Sequence, residues 1–368
     1  RTKNKKKLKR DKKLKKNFWK NKRVFITGHT GFKGSWLCIF LSMLGANVTG
    51  YALKPKTKPS LFKLAKIDKI LEKSIYSDIK DYKKLNYEIK KFKPEIIFHL
   101  AAQPLVRYSY LNPKETFETN ILGTLNILEI VRNYKKIKTT IIITSDKVYD
   151  VKKNKIYNET DPLKGLDPYS SSKVSCEHLY SSYMNSFFKN NTSQRLATVR
   201  AGNVIGGGDY SHDRLIPDIL HSAKKLKKII LRNPNSTRPW QHVLEPLYGY
   251  LILAEKLYKN ESSKITKQQS WNFGPNISNC KSVMFVASFF AKKLKLKIKV
   301  LKKQNKIFKP ETHLLRLNNT KSKKVLKCNP KWNLIKTLNK ILEWNQLIKN
   351  KKPRDVCETQ IKEYLSKK

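Results

Sequence analysis

The sequence predicts an α/β fold, a doubly wound parallel sheet with a smaller mixed lobe toward the C-terminus. Three observations predict it. Short β-branched strands alternate with amphipathic segments of helix length, a glycine triplet joins the first strand to the first helix, and the pattern turns irregular after Gly206. With 368 residues and 39% hydrophobic content the chain can bury a large core.

The first strand is Arg23-Val24-Phe25-Ile26-Thr27, and it runs into Gly28-His29-Thr30-Gly31-Phe32-Lys33-Gly34. Gly28 suits a tight turn, Gly31 lets backbone N–H groups approach a pyrophosphate, and Gly34 lets the next helix pack closely on the sheet. A glycine triplet alone is weak evidence, but between such a strand and such a helix a dinucleotide cradle is the better reading than an ordinary turn. Thr30 and Phe32 belong to the same cradle. Phe32, Trp36, Leu37, Phe40, Leu41 and Leu44 then recur at helical spacing up to a stop at Gly45.

Strands come next at 47–53, at a short segment closed by Ser77-Asp78-Ile79, at 95–100 and at 139–144, with helices at 61–71, 82–92 and 120–131 between them. Residues 197–200 supply another strand, and 270–274 return late to the sheet. Gly206-Gly207-Gly208-Asp209 reads as a flexible joint, and Pro217, Pro234, Pro239 and Pro246 punctuate the chain beyond it. The division expected is a basic, disordered tail at 1–17, a dinucleotide-binding domain at 18–205 with the late return near 270–275, and mainly a substrate lobe at 206–368. Residues 294–306 form a lysine-rich variable segment.

The formal charge of +52 invites a nucleic-acid or anionic-membrane reading. Lysines are spread from end to end, however, which is a global bias and defines no basic face; only residues 1–22 form a charge block, expected as a solvated tail. Nucleic acid is therefore not the expected partner. No apolar run is long enough to cross a bilayer and no secretion signal opens the sequence, so the expected compartment is the cytoplasm. Cys38, Cys176, Cys280, Cys328 and Cys357 are scattered without a Cys-x-x-Cys pair, which points to free thiols and to no zinc site. His212, His221 and His242 lack metal-ligand spacing, and no metal is expected.

The strand at 139–144 ends in Ser145-Asp146-Lys147, at the cleft edge of the sheet. Asp167-Pro168-Tyr169-Ser170-Ser171-Ser172-Lys173 opens a helix that puts Tyr169 and Lys173 on one face. An ammonium beside a phenol lowers its pKa, and together with a nearby nicotinium charge this lets Tyr169 read as a base toward a sugar hydroxyl near neutral pH. Such a pair alone is more often structural; with the glycine cradle upstream it is read as catalytic. Ser145 is read as a hydrogen-bond partner beside Tyr169 or as a strand-end cap.

Gly28-x-x-Gly31-x-x-Gly34 with Tyr169-x-x-x-Lys173 resembles the extended short-chain dehydrogenase/reductases, Rossmann-type enzymes that modify nucleotide sugars. More narrowly, Gly28 to Trp36, His99 to Arg107, Thr144 to Lys147, Arg200 to Asp209 and Arg238 to Val243 resemble the CDP-glucose 4,6-dehydratase family. The likeness runs from Phe18 to near the C-terminus and loosens beyond Lys281. It implies CDP-glucose as substrate, NAD as cofactor and a homodimer or homotetramer, and a product that supplies deoxysugars for cell-surface polysaccharide. It also implies a cycle in which Tyr169 takes the C4 hydroxyl proton as hydride leaves C4 for NAD, water is eliminated across C5 and C6, and the hydride returns to C6. In the elimination Asp146 protonates the departing C6 hydroxyl. Lys147 stands where related dehydratases carry a glutamate, and two roles stay open: a base for the C5 proton, or a cation on the developing enolate.

The second strand ends in Leu53-Lys54 with no carboxylate for the ribose, so the residues leave NAD and NADP open while the resemblance implies NAD. Asp78 and Ile79 resemble the adenine contacts, and Leu100, Ala101 and Ala102 the cofactor path. Asn120 is expected to fix backbone geometry. Asn203, Arg214, Arg232 and Arg238 resemble contacts to the diphosphate and sugar, with Gln103 and Arg107 on the hexose side. The rivals are a 4-epimerase or another nucleotide-sugar dehydratase on the same fold, and a non-enzymatic nucleic-acid binder.

Overall fold

The computed structural model describes residues 14–152, 155–189, 193–225, 228–261, 270–301 and 315–366. Its centre is a seven-stranded, wholly parallel sheet. The strands are β1 (Arg23–Thr27), β2 (Asn47–Ala52), β3 (Lys73–Tyr76), β4 (Ile96–His99), β5 (Thr139–Ile143), β6 (Arg195–Ala201) and β7 (Ser270–Phe273), arranged β7-β6-β5-β4-β1-β2-β3. The order in which strands are added reverses between β1 and β4, which opens a crevice at their carboxyl ends.

Alternation along each strand assigns the two faces. Val24, Ile26, Ile96, Phe98, Ile141 and Ile143 enter one core with Trp36 and Leu37 of helix Phe32–Met43 and the buried helix Leu244–Tyr258. Phe25, Ile97 and Ile142 point the other way, against Leu85, Ile89, Leu128 and Tyr180 of the helices Tyr82–Phe92, Gly123–Asn133 and Pro168–Tyr183. A separate core of Ile216, Ile229, Leu231, Trp240, Val286, Phe290 and Leu338 gathers the mixed lobe, where strands Lys228–Leu231 and Lys297–Val300 pair in parallel.

Several local expectations are corrected. The helix expected at 61–71 is split into Leu61–Leu64 and a 3-10 turn Ile67–Ile70, because Lys66 between them is left-handed at φ 49°. The third strand ends at Tyr76, so Asp78 and Ile79 lie in the loop beyond it. A π-helical turn, Glu118–Leu122, precedes helix Gly123–Asn133 and carries Asn120. The glycines at 206–208 do not form a loose joint. A Cβ on Gly207 would stand 2.1 Å from the Trp344 ring, and the Gly207 carbonyl accepts a hydrogen bond from Trp36 Nε1 at 3.0 Å.

Of the expected tail, residues 1–13 lie outside the described residues. Residues 14–22 are not a solvated arm: Trp19 is buried, and Lys22 Nζ donates to Glu95 Oε2 at 3.0 Å and to Tyr258 at 3.2 Å. The lysine-rich segment contributes strand Lys297–Val300, and its part beyond 301 is outside the described residues. All five cysteines are free thiols. Among the described residues no helix is long and apolar enough to cross a membrane, and no cluster of His, Cys, Asp and Glu could hold a metal ion.

Candidate active site

One cavity of about 1640 Å³ opens at the carboxyl ends of the strands and extends into the lobe. Every residue singled out in the sequence for catalysis, cofactor or substrate lines it. Its size suits a dinucleotide and a nucleotide sugar together, since a cavity for one drug-sized ligand takes roughly 300–1,000 Å³.

At one end lie Gly28, Thr30, Gly31, Phe32 and Gly34. Gly28 has φ +78°, and a Cβ on Gly34 would meet the Gly28 carbonyl oxygen at 2.2 Å, so turn and helix fit together only without side chains there. Helix Phe32–Met43 begins at Gly31 with no side-chain cap. Its first N–H groups therefore face the cavity at the positive end of a twelve-residue helix, an arrangement that fits a pyrophosphate. Thr30 Oγ1 donates to Leu53 O at 2.8 Å and ties the cradle to the end of β2. Leu100, Ala101 and Ala102 continue the wall after β4, and Asp78 with buried Ile79 closes the far side. These residues fit a dinucleotide.

The reactive groups stand where β5 ends. Ser145 caps the 3-10 turn Asp146–Val148: its Oγ accepts from Lys147 N at 3.2 Å and donates to Asp146 Oδ1 at 3.1 Å. The cap anticipated for Ser145 is thus formed, and the same hydroxyl also lies beside Tyr169. Burial holds the Asp146 carboxyl above the ordinary carboxylate range, against the pull of Lys147, Ser145, Arg238 and Lys33. That favours a carboxyl group carrying its proton.

Tyr169 and Lys173 rise from helix Pro168–Tyr183, which is capped by Asp167 accepting from Ser170 N. Here the expectation of a lowered phenol is corrected. Burial pushes Tyr169 up to about 12, while Ser145 and Arg214 pull it down too little to offset this. Burial also lowers Lys173, whose Nζ donates to Ile143 O at 3.2 Å. The chain's own charges therefore do not bring Tyr169 toward neutrality.

Gln103 lines the cavity, but its side chain is engaged within the chain. Its Nε2 donates to Thr116 Oγ1 at 2.9 Å and to Leu105 O, and its Oε1 accepts from Leu105 N, so the side chain holds the loop after β4. Asn120 does what was expected of it, accepting from Gln103 N at 2.8 Å and donating to Ser172 Oγ at 2.8 Å. The arginines are held by carboxylates. Arg107 and Arg232 both donate to Asp213 Oδ1, at 2.6 and 3.1 Å, and Arg214 donates to Asp209 Oδ2 at 3.0 Å. Arg238 is buried near Asp146, and Asn203 lines the same cavity.

Sequence reasoning missed four contributors. Lys33 was in plain view inside the glycine motif and lines the cavity. Asp213 carries no local signal, because Arg107 and Arg232 reach it from other segments, whereas Asp209 pairs with Arg214 only five residues on. The fourth is Glu177, one helical turn after Lys173. It receives Arg200 in a two-pronged, fully buried pair at 2.8 and 2.9 Å, with Thr144 and Thr198 on the same carboxylate. Arg200 holds this carboxyl below its ordinary range despite burial, so the helix that carries Tyr169 and Lys173 is locked to β5 and β6.

Residues 25–341 match the model of the family described as GDP-mannose 4,6 dehydratase. CDP-glucose 4,6-dehydratase of Salmonella typhimurium strain LT2 is 45% identical over 361 residues, covering 95% of this chain and 98% of that protein. Among solved structures, dTDP-glucose 4,6-dehydratase of Bacillus anthracis in complex with NAD superposes with a TM-score of 0.73 at 22% identity, over 90% of this chain and 98% of that one. UDP-glucose 4-epimerase of Thermotoga maritima does so with a TM-score of 0.72 at 19% identity, over 88% and 98%; these two likenesses speak for the fold. The sheet, the cradle and the full-length match lead to one conclusion: the chain belongs to the GDP-mannose 4,6 dehydratase family and stands in it beside CDP-glucose 4,6-dehydratase.

Proposed function

We propose that the chain is an NAD-dependent hydro-lyase that converts CDP-glucose to CDP-4-dehydro-6-deoxyglucose. The observation that carries the reading is the buried, proton-favouring Asp146 at the same cavity wall as Tyr169 and Lys173. A 4-epimerase needs no acid to expel water; a dehydratase does. NAD, when bound, supplies a reversible acceptor for the electron pair of C4. The glycine cradle and the uncapped start of helix Phe32–Met43 would hold its pyrophosphate, and Lys173 its ribose beside Tyr169. Tyr169 takes the proton of the C4 hydroxyl, and Ser145 holds the same oxygen. Asp146 gives its proton to the departing C6 hydroxyl, and Lys147 either accepts the C5 proton or stabilises the enolate. Arg107, Arg214, Arg232 and Arg238, with Asn203, would hold the diphosphate and sugar.

A homodimer or homotetramer goes with this reading. Leu122 and Phe187 leave apolar surface exposed beside the helices Gly123–Asn133 and Pro168–Tyr183, which supports an association through them. Free thiols and an activated-sugar substrate support a cytoplasmic enzyme. The deciding experiment offers CDP-, dTDP-, UDP- and GDP-glucose separately and reads the alkali-induced absorbance of a 4-keto-6-deoxy product. CDP-glucose is expected to react fastest, and deuterium placed at C4 should appear in the new methyl group. Turnover without that transfer would overturn the reading, as would C4 inversion without loss of water.

A further inference from the structure

Lys33 lies in the first turn of helix Phe32–Met43, and its Nζ stands 6.0 Å from the centroid of the Tyr250 ring, within the range of a cation–π contact. It shares the cavity wall with Asp146. Asp146 has a divided carboxyl group. Its Oδ1 receives Ser145, whereas its buried Oδ2 has no hydrogen-bond partner and faces Gly202, where even a Cβ would come within 3.0 Å. The Tyr250 hydroxyl is likewise buried without a partner, and it feels the charge of Asp146. Lys33 and Tyr250 thus bring an ammonium and an unused phenol to the acid from two helices.

We propose that Lys33 is a positioning residue for the loss of water, its ammonium setting how firmly Asp146 holds the proton that the C6 hydroxyl receives. This rests on the dehydratase reading. In the step itself the Asp146 O–H bond breaks, its proton goes to O6, the C6–O6 bond breaks and water leaves. The carboxylate left behind is attracted by the Lys33 ammonium across the shared cavity wall. A cation there makes Asp146 the stronger acid and also empties it at lower pH, so the charge on Lys33 determines the pH at which the acid is ready.

The groups facing this pair are known from each neighbouring element. Burial lowers Lys33 to about 8, the charges of Arg214 and Lys173 add to this, and Asp146 pulls the other way. Ser145, Lys147 and Arg238 face Asp146 beside Lys33, and Tyr169 and Tyr250 complete its surroundings. Lys33, brought down to about 8, therefore loses its charge at mildly alkaline pH.

The test compares the pH dependence of kcat in the wild type, Lys33→Met, Lys33→Gln and Lys33→Arg, each loaded with dinucleotide and saturated with CDP-glucose. Removing the charge should raise the alkaline midpoint by about one pH unit in both neutral variants, because the acid then keeps its proton longer. Lys33→Arg, a permanent cation, should leave the midpoint at or below that of the wild type. The idea is overturned if the neutral variants keep the wild-type midpoint, or if Lys33→Arg moves up with them. Loss of dinucleotide from the neutral variants would also overturn it, since Lys33 would then be a cofactor ligand. A wild type that dehydrates a different nucleotide sugar would sink only the substrate assignment, and the same comparison could be made with that sugar.

Discussion

Asp146 and Lys147 are adjacent in sequence yet live in different surroundings, the first buried and the second half-exposed. The acid role needs the first condition, because only a carboxyl group withdrawn from water holds a proton while cations crowd it. In the proposed reaction Lys147 acts as a cation or as a base, and two substitutions separate these. Lys147→Met should slow loss of water by about 10²-fold or more under either role. Lys147→Arg should keep a substantial share of the rate if charge on the enolate is what matters, and should fall with Lys147→Met if a proton must be accepted. Solvent-hydrogen exchange at C5, followed by NMR, reads the proton transfer directly. Normal exchange and elimination in Lys147→Met would remove both roles.

At the scale of elements, the helix that carries Tyr169 and Lys173 is anchored by the buried Glu177–Arg200 pair. Cutting one partner strands a charge in the core, so Arg200→Met should cost roughly 3–5 kcal/mol in urea unfolding. A loss under about 1 kcal/mol would mean that the pair is open to water. A second anchor is Glu245 on helix Leu244–Tyr258, which accepts from Trp332 N at 2.7 Å and from the Tyr364 hydroxyl at 2.7 Å. Burial raises this carboxyl from 4.5 to about 7. Between those values the native state keeps a proton that the unfolded chain releases, so stability should fall as pH rises through the window and level off above it. Glu245→Gln should flatten that slope, worth on the order of 3 kcal/mol, in urea titrations at pH 5 and pH 8. An unchanged slope would locate the pH dependence elsewhere. These anchors mark what the sequence could not disclose. The strand, glycine turn and helix from Arg23 to Met43 were legible because period and backbone geometry are local, and Tyr169 and Lys173 because they share one helix face. The split at Lys66, the packed Gly207 and the inward turn of Gln103 depend on contacts from distant segments, which no local pattern records.

For the whole molecule the governing quantity is charge: 79 basic against 27 acidic residues. Carboxylates are scarce in this chain, yet Asp209 and Asp213 sit at the cavity and hold Arg107, Arg214 and Arg232. Spread charge of this kind creates a long-range attraction for any polyanion, but the orienting contacts are made only where the arginines are fixed. A nucleotide sugar carries its charge on the diphosphate, so the field should speed its arrival and leave the chemistry within the closed site untouched. Raising salt from low ionic strength to about 0.5 M should therefore lower kcat/KM for CDP-glucose by about tenfold while kcat stays level. The split between the two constants is the informative part. If kcat fell in parallel, salt would be disturbing buried groups such as Asp146 and Lys33, and if neither constant moved, the charge would serve something other than the substrate. Retention on DNA that salt abolishes, in a protein without CDP-glucose turnover, would turn the same charge into evidence for the nucleic-acid rival.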